Sequence, residues 1–200
     1  MFGCERENYE DFEVAGVVGL SDFLRFLVIG LNTFVEMKYI EVNDEIIDSR
    51  DPMAVIEPLW LSVDIYGSKE LYEMGLEPFS NDQRAVFAAM WFISEVFNGG
   101  FYQFYTNATG IVWEDAMNGF ETLGIPETRS IIQESCNRFE PRPSFDREER
   151  EGFLDVVDVE FEDLDERIYL LDEKNNLTEK IAHYICNHRE SFYFKGEVEN

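Results

Sequence analysis

The stretch from Ser80 to Gly100 constrains this chain most, because it carries a helix start and a helix stop around residues too apolar to face water. Ser80 stands three residues before Gln83, the spacing of a capping box, and Asn98-Gly99-Gly100 ends the run with residues that leave the helical region easily. Between them Val86, Phe87, Met90, Trp91, Ile93, Val96 and Phe97 spread over more than half of a helical circumference. Such a helix is stable only with other elements packed around it. The spacing therefore predicts a central buried helix over about 80–98 and a fold assembled on it.

The surrounding sequence reads as further helix. Phe101 to Tyr105 has room for a turn or two before Gly110. Val112 to Leu123 places Trp113, Ala116, Met117, Phe120 and Leu123 on one face. Pro126 opens a helix whose inward face is Ile131, Ile132, Ser135, Cys136 and Phe139, and the short Gly124-Ile125-Pro126 link makes the two a hairpin. Upstream, Asn43 to Pro52 reads as a turn, and Pro52 to about Tyr66 as a helix that Pro58 bends or divides. Downstream, Glu140 to Gly152 reads as a solvated linker because of Pro141, Pro143 and its mixed charges. Val157, Phe161, Leu164, Ile168 and Leu171 then form a helical stripe, and a last helix runs from about Asn176 to Phe192 with Leu177, Ile181, Tyr184, Ile185 and His188 inward.

The expected fold class is all-α: one compact helical domain over 49–200, with residues 1–48 as an N-terminal segment packed on it. Within that segment 20–29 reads as a buried helix. Thr33 to Val42 alternates and carries β-branched residues, so a short strand is the alternative there.

Charge decides what the surface can meet. Asp plus Glu number 42 against 16 Lys plus Arg, a formal net charge of −26, which repels nucleic-acid phosphates and anionic membranes as direct partners. An aromatic content of 15% argues against disorder, since disordered acidic chains are poor in aromatics. Cys4, Cys136 and Cys186 are widely spaced and include no C-x-x-C pair, so neither a disulfide framework nor a cysteine zinc site is expected. Acidic residues from Glu5 to Glu13 stand where a signal peptide needs basic ones, and Asp22 and Arg25 interrupt the apolar window Val17 to Val35. A cytoplasmic protein with no membrane span is the expectation.

No catalytic signature is present: no G-x-S-x-G, no phosphate loop, no H-E-x-x-H and no Rossmann fingerprint. His183, Cys186 and His188 do not share one helical face as metal ligands at i and i+4 would. Asp155 to Glu166 lacks the glycine of a calcium loop, and neither histidine has the Glu three residues before it that a di-iron bundle uses. No metal, cofactor or catalytic residue is expected. An enzyme remains the rival class, and it would draw on Glu95, Glu114 and Asp115, the carboxylates nearest the glycine corner.

Residues 146–173 hold thirteen acids against Arg147, Arg150 and Arg167, and 155–166 holds Asp155, Asp158, Glu160, Glu162, Asp163, Asp165 and Glu166 with no base. If that run is one helix, Asp155, Asp158, Glu162, Asp165 and Glu166 form a ridge with carboxylates about 5–6 Å apart. That is of the same order as the phosphate spacing along a nucleic-acid strand, so a basic DNA-binding protein could read the ridge as backbone.

Asn98-Gly99-Gly100-Phe101-Tyr102-Gln103-Phe104-Tyr105-Thr106-Asn107, entered from an aromatic-rich helix and followed by Gly110 and a helix ending at Leu123-Gly124-Ile125, resembles the bacterial DNA-mimic protein family. The resemblance covers roughly 50–140, with Asn98, Gly99, Gly100, Phe101, Gln103, Phe104 and Asn107 its most specific part. It implies an all-helical fold. It also implies sequestration of a basic DNA-binding protein such as a transcription regulator, and a homodimer is compatible with it. An inhibitor of a basic nuclease would use the same electrostatics. The signature itself reads as a structural corner in which Phe101 and Phe104 fold back on the central helix. Asn98, Gln103 and Asn107 would then serve free helix-end groups.

Overall fold

A computed structural model describes residues 37–199, and the proposed helix over 20–29 and the apolar window Val17 to Val35 lie outside the described residues. The described residues form one compact unit. Its elements are β1 (Met37–Val42), α1 (Asp44–Asp48), α2 (Pro52–Val55), α3 (Glu57–Ser62), α4 (Lys69–Leu76), α5 (Asn81–Thr106), a 3-10 turn (Ala108–Val112) and α6 (Trp113–Thr122). They continue with α7 (Pro126–Cys136), α8 (Arg147–Val156), α9 (Glu162–Asn175), α10 (Leu177–Asn187), a second 3-10 turn (Arg189–Ser191) and β2 (Phe194–Glu199).

The fold is built around α5, as expected. The Ser80 hydroxyl accepts from the Gln83 N–H at 3.1 Å, and the Gln83 side chain accepts from the Ser80 N–H at 2.9 Å, so both arms of the capping box are present. Val86, Phe87, Ala88, Ala89, Phe92 and Val96 are wholly buried. Phe92 is the hub of the core, meeting Phe101, Phe104 and Phe120 edge-on at 5.5, 5.3 and 5.5 Å between ring centres. That geometry suits the ring quadrupoles. α6 and α7 form the hairpin, with Ala116, Phe120, Ile132, Ser135 and Cys136 buried. α6 lies close on α5: a Cβ on Gly119 would stand 2.8 Å from the Ala85 carbonyl oxygen.

Several elements differ from expectation, each for a local reason. Pro58 does divide the 52–66 helix, giving α2 and α3. The turn expected over Asn43 to Pro52 holds α1, because the Asn43 side chain caps the Ile46 N–H at 3.2 Å. α4 follows Ser68, which caps the Leu71 N–H. The glycines break α5 without ending it: helix resumes at Phe101 and runs to Thr106. The expected linker is loop only to Phe145. Asp146 caps the Glu149 N–H at 3.0 Å and starts α8 inside it.

The last helix stops at Asn187, and the chain then turns into β2. That strand pairs antiparallel with β1, Val42 opposite Phe194 and Lys38 opposite Val198. The strand alternative over Thr33 to Val42 therefore holds for Met37–Val42, where Ile40 and Val42 point into the core.

Candidate partner-binding face

The acidic run is not one ridge. α8 ends at Val156 and α9 begins at Glu162, with a non-helical connector between them that leaves α8 through an extended Val157. Val157 and Val159 are β-branched and favour extended backbone. Phe161, 2% exposed, drives into the core beside Phe101, with ring centres 6.0 Å apart. The 157–171 stripe is helical only from Glu162, so Val157 stays outside it while Leu164 and Ile168 are buried.

The seven acids accordingly divide. Asp155 sits in the last turn of α8, Asp158 and Glu160 lie in the connector, and all three are exposed. Asp163 is held by Arg138, whose Nη2 donates to both carboxylate oxygens at 2.7 and 2.6 Å. That guanidinium keeps the Asp163 carboxyl below the usual carboxylate range. Arg138 also donates to the Glu160 carbonyl, and Arg167 pairs with Glu134 on α7, so one flank of α9 is tied down. Glu162 and Glu166 are exposed on α9.

Asp165 faces inward, to the break in α5. Gly99 and Gly100 have non-helical dihedrals there, and Gly100 has φ +76°, a conformation natural to glycine. In an unbroken helix the Phe101 N–H would bond to Phe97 and the Val96 carbonyl would accept from Gly100. α9 supplies a partner for each group. Asp165 Oδ1 accepts from the Phe101 N–H at 2.8 Å, and the Tyr169 hydroxyl donates to the Val96 carbonyl at 2.9 Å. Burial pushes the Asp165 carboxyl above its ordinary range, against the opposing pull of the Phe101 N–H, and the nearby Glu162 and Asp163 push it further up. Tyr169 also packs edge-on against Phe97 at 5.3 Å.

The signature residues form a corner, as expected, with Phe101, Phe104 and Tyr105 wholly buried. Gln103 and Asn107 do not serve helix-end groups. Their amides both donate to Glu95 Oε2 at 2.8 Å, which staples the two sides of the break together. No side-chain hydrogen bond of Asn98 occurs among the described residues. The helix-end carbonyls are met instead by arginines of α8: Arg150 Nε donates to Tyr105 O at 2.8 Å, its Nη2 to Asn107 O at 2.8 Å, and Arg147 to Thr106 O at 2.8 Å.

Arg150 is missed by the linker assignment, although a signal was available. Asp146 three residues before Glu149, with Arg150, Phe153 and Leu154 following, is a cap-and-face pattern.

The rival carboxylates have separate surroundings. Glu95 belongs to the corner, Asp115 accepts from the buried Tyr72 hydroxyl at 2.6 Å, and Glu114 lines a groove beside Trp113 and Phe139. His183 and His188 are both exposed, so His188 does not point inward as expected but stacks on Tyr184 at the surface. No group of three or more His, Cys, Asp or Glu side chains that could hold a metal occurs among the described residues. None of the described helices is long and apolar enough to cross a membrane.

Glu162, Glu166 and Glu173 stand four and seven residues apart, and with Tyr169 they fall within a narrow arc of α9. They line an open groove of about 490 Å³ whose floor is Gly99 and Gly100, and no Lys or Arg lines it. Leu170, Tyr102, Phe97 and Tyr169 are each at least 36% exposed, the first and last in the groove.

Comparison with known families matches residues 77–188 to the DMP19-like protein family, more than half of the chain and a span that holds the break, Arg150 and α9. The chain belongs to the DMP19-like family. This is the DNA-mimic protein family that the Asn98 to Asn107 signature resembles. No curated protein and no solved structure matches the chain. The DMP19-like match begins just before α5 and ends just after α10, leaving β1, α1, α2, α3, α4, the second 3-10 turn and β2 outside it.

Proposed function

We propose that this DMP19-like chain is a binding protein rather than a catalyst, and that it occupies the DNA site of a basic cytoplasmic DNA-binding protein, such as a transcription regulator. The face is the run from Asp155 through Asp158 and Glu160 to Glu162, Glu166 and Glu173. One observation carries this reading: Glu162, Glu166 and Glu173 share an arc of α9 around Tyr169 with no cation in the groove. Glu162 and Glu166, one turn apart, place negative charge at a spacing like that of phosphates along a strand, and Glu173 continues the same line about two turns further on; such recognition is mostly charge placement. Asp163 and Asp165 contribute field but are engaged by Arg138 and Phe101.

Affinity capture on the immobilised protein, eluted with duplex DNA, tests this. A basic DNA-binding protein should be released by DNA from the wild type and be absent from beads carrying E162Q/E166Q/E173Q. Recovery of a basic nuclease would turn the reading to inhibition of that enzyme. Equal recovery from both beads would remove the α9 face from the account.

A further inference from the structure

α9 is held by three kinds of contact: apolar packing, surface ion pairs, and hydrogen bonds to main-chain groups of the break, of which the last most closely fixes the direction in which its acids point. Leu164 and Ile168 are wholly buried, but apolar packing is non-directional and leaves a helix some freedom to roll about its axis. The ion pairs of Arg138 and Arg167 are surface contacts made by long side chains. Hydrogen bonds to fixed main-chain groups are directional. Asp165 and Tyr169, one turn apart, make two of them, to the Phe101 N–H and the Val96 carbonyl on either side of the break. Gly100 makes room for this: a Cβ there would stand 2.4 Å from Asp165 Oδ2.

We infer that Asp165 and Tyr169 are positioning residues that latch α9 onto the Gly99–Phe101 break and so aim Glu162, Glu166 and Glu173 outward; Asp165 lines the same groove, but its carboxylate is engaged by the Phe101 N–H and acts through the helix rather than on the partner. This rests on the reading of α9 as the binding face. It gives the break in α5 a role: it exposes main-chain groups that the acidic helix engages, and so couples the signature corner to the binding surface.

Binding of a fluorescent arginine-rich helical peptide to the full chain, measured by anisotropy, separates the possibilities when combined with amide exchange at Phe101. D165A and D165N remove the same charge, but the Asn amide oxygen can still accept from the Phe101 N–H. D165A should speed exchange at Phe101 and weaken peptide binding, each by about tenfold. D165N should stay within about twofold of wild type in both, and Y169F, which loses only the hydroxyl, should fall between. Equal loss of binding in D165A and D165N would make Asp165 a direct contact and overturn the latch. Unchanged exchange or unchanged binding in D165A would overturn it as well. If E162Q/E166Q/E173Q binds the peptide as wild type does, the binding face is what fails, and D165A exchange still reports separately on the latch bonds.

Discussion

A guanidinium that is 1% exposed is costly to bury, and Arg150 meets that cost with main-chain carbonyls. Besides Tyr105 and Asn107, its Nη1 donates to Ser144 and Phe145, both at 2.9 Å. Burial pushes its pKa down to about 10, so it remains charged at neutral pH. Removing it leaves those acceptors unmet: Arg150→Met should cost about 3–5 kcal/mol in urea unfolding. Arg150→Lys should recover only part of this, because one ammonium cannot reproduce the planar fork. A loss under about 1 kcal/mol for Met would show that water replaces the side chain.

Two neighbouring carboxylates should respond to pH with opposite sign. Asp165 has a raised native pKa, so its contribution to stability is fully present below the ordinary Asp value of about 3.9 and is lost as pH rises through the native value. Asp163 has a lowered native pKa, so its contribution is present above that ordinary value and is lost as pH falls through the native one. Relative to D165N, the wild type should gain stability on acidification; relative to D163N, it should lose it. Urea midpoints between pH 3 and 7 check both slopes, and slopes of the same sign would refute the assignment. Neither environment was legible in the sequence, where both residues are members of one acidic run. The partners Phe101 and Arg138 lie far away along the chain, and only the fold brings them in.

At the scale of elements, what could be read early was what carries local punctuation. The α5 start, the α6–α7 hairpin and the division at Pro58 each follow from a cap, a glycine or a proline whose effect is confined to one turn. What could not be read was decided by tertiary contact. The glycines look like a stop, yet helix resumes because Phe101, Phe104 and Tyr105 have a core to enter and Glu95 staples the two sides. The acidic ridge fails because Phe161 is taken into that same core. β2 needs β1 as a partner across most of the chain, a pairing no local pattern encodes. Ser80 offers a test at this scale. Its hydroxyl caps α5 and also donates to the Ser191 carbonyl at 2.9 Å, so Ser80→Ala should cost about 1–2 kcal/mol by thermal unfolding, and no measurable loss would contradict the role of the capping box.

For the whole molecule, charge sets both stability and association. A net charge of −26 on 200 residues makes the native state repel itself, and screening relieves that repulsion. Raising salt from low to moderate concentration should stabilise the fold by on the order of 1 kcal/mol, about 2–4 °C in Tm, and should weaken binding to a basic partner over the same range. A rise of both with salt would show that binding is not electrostatic.

On the proposed reading, this surface takes the place of DNA on a basic protein. Competition at equilibrium tests this: the partner released by DNA elution, loaded with labelled duplex DNA and titrated with the 200-residue chain. The wild type should displace the DNA at a defined stoichiometry, and E162Q/E166Q/E173Q should do so poorly. Duplex DNA and this protein bound to the partner together, without competition, would contradict it.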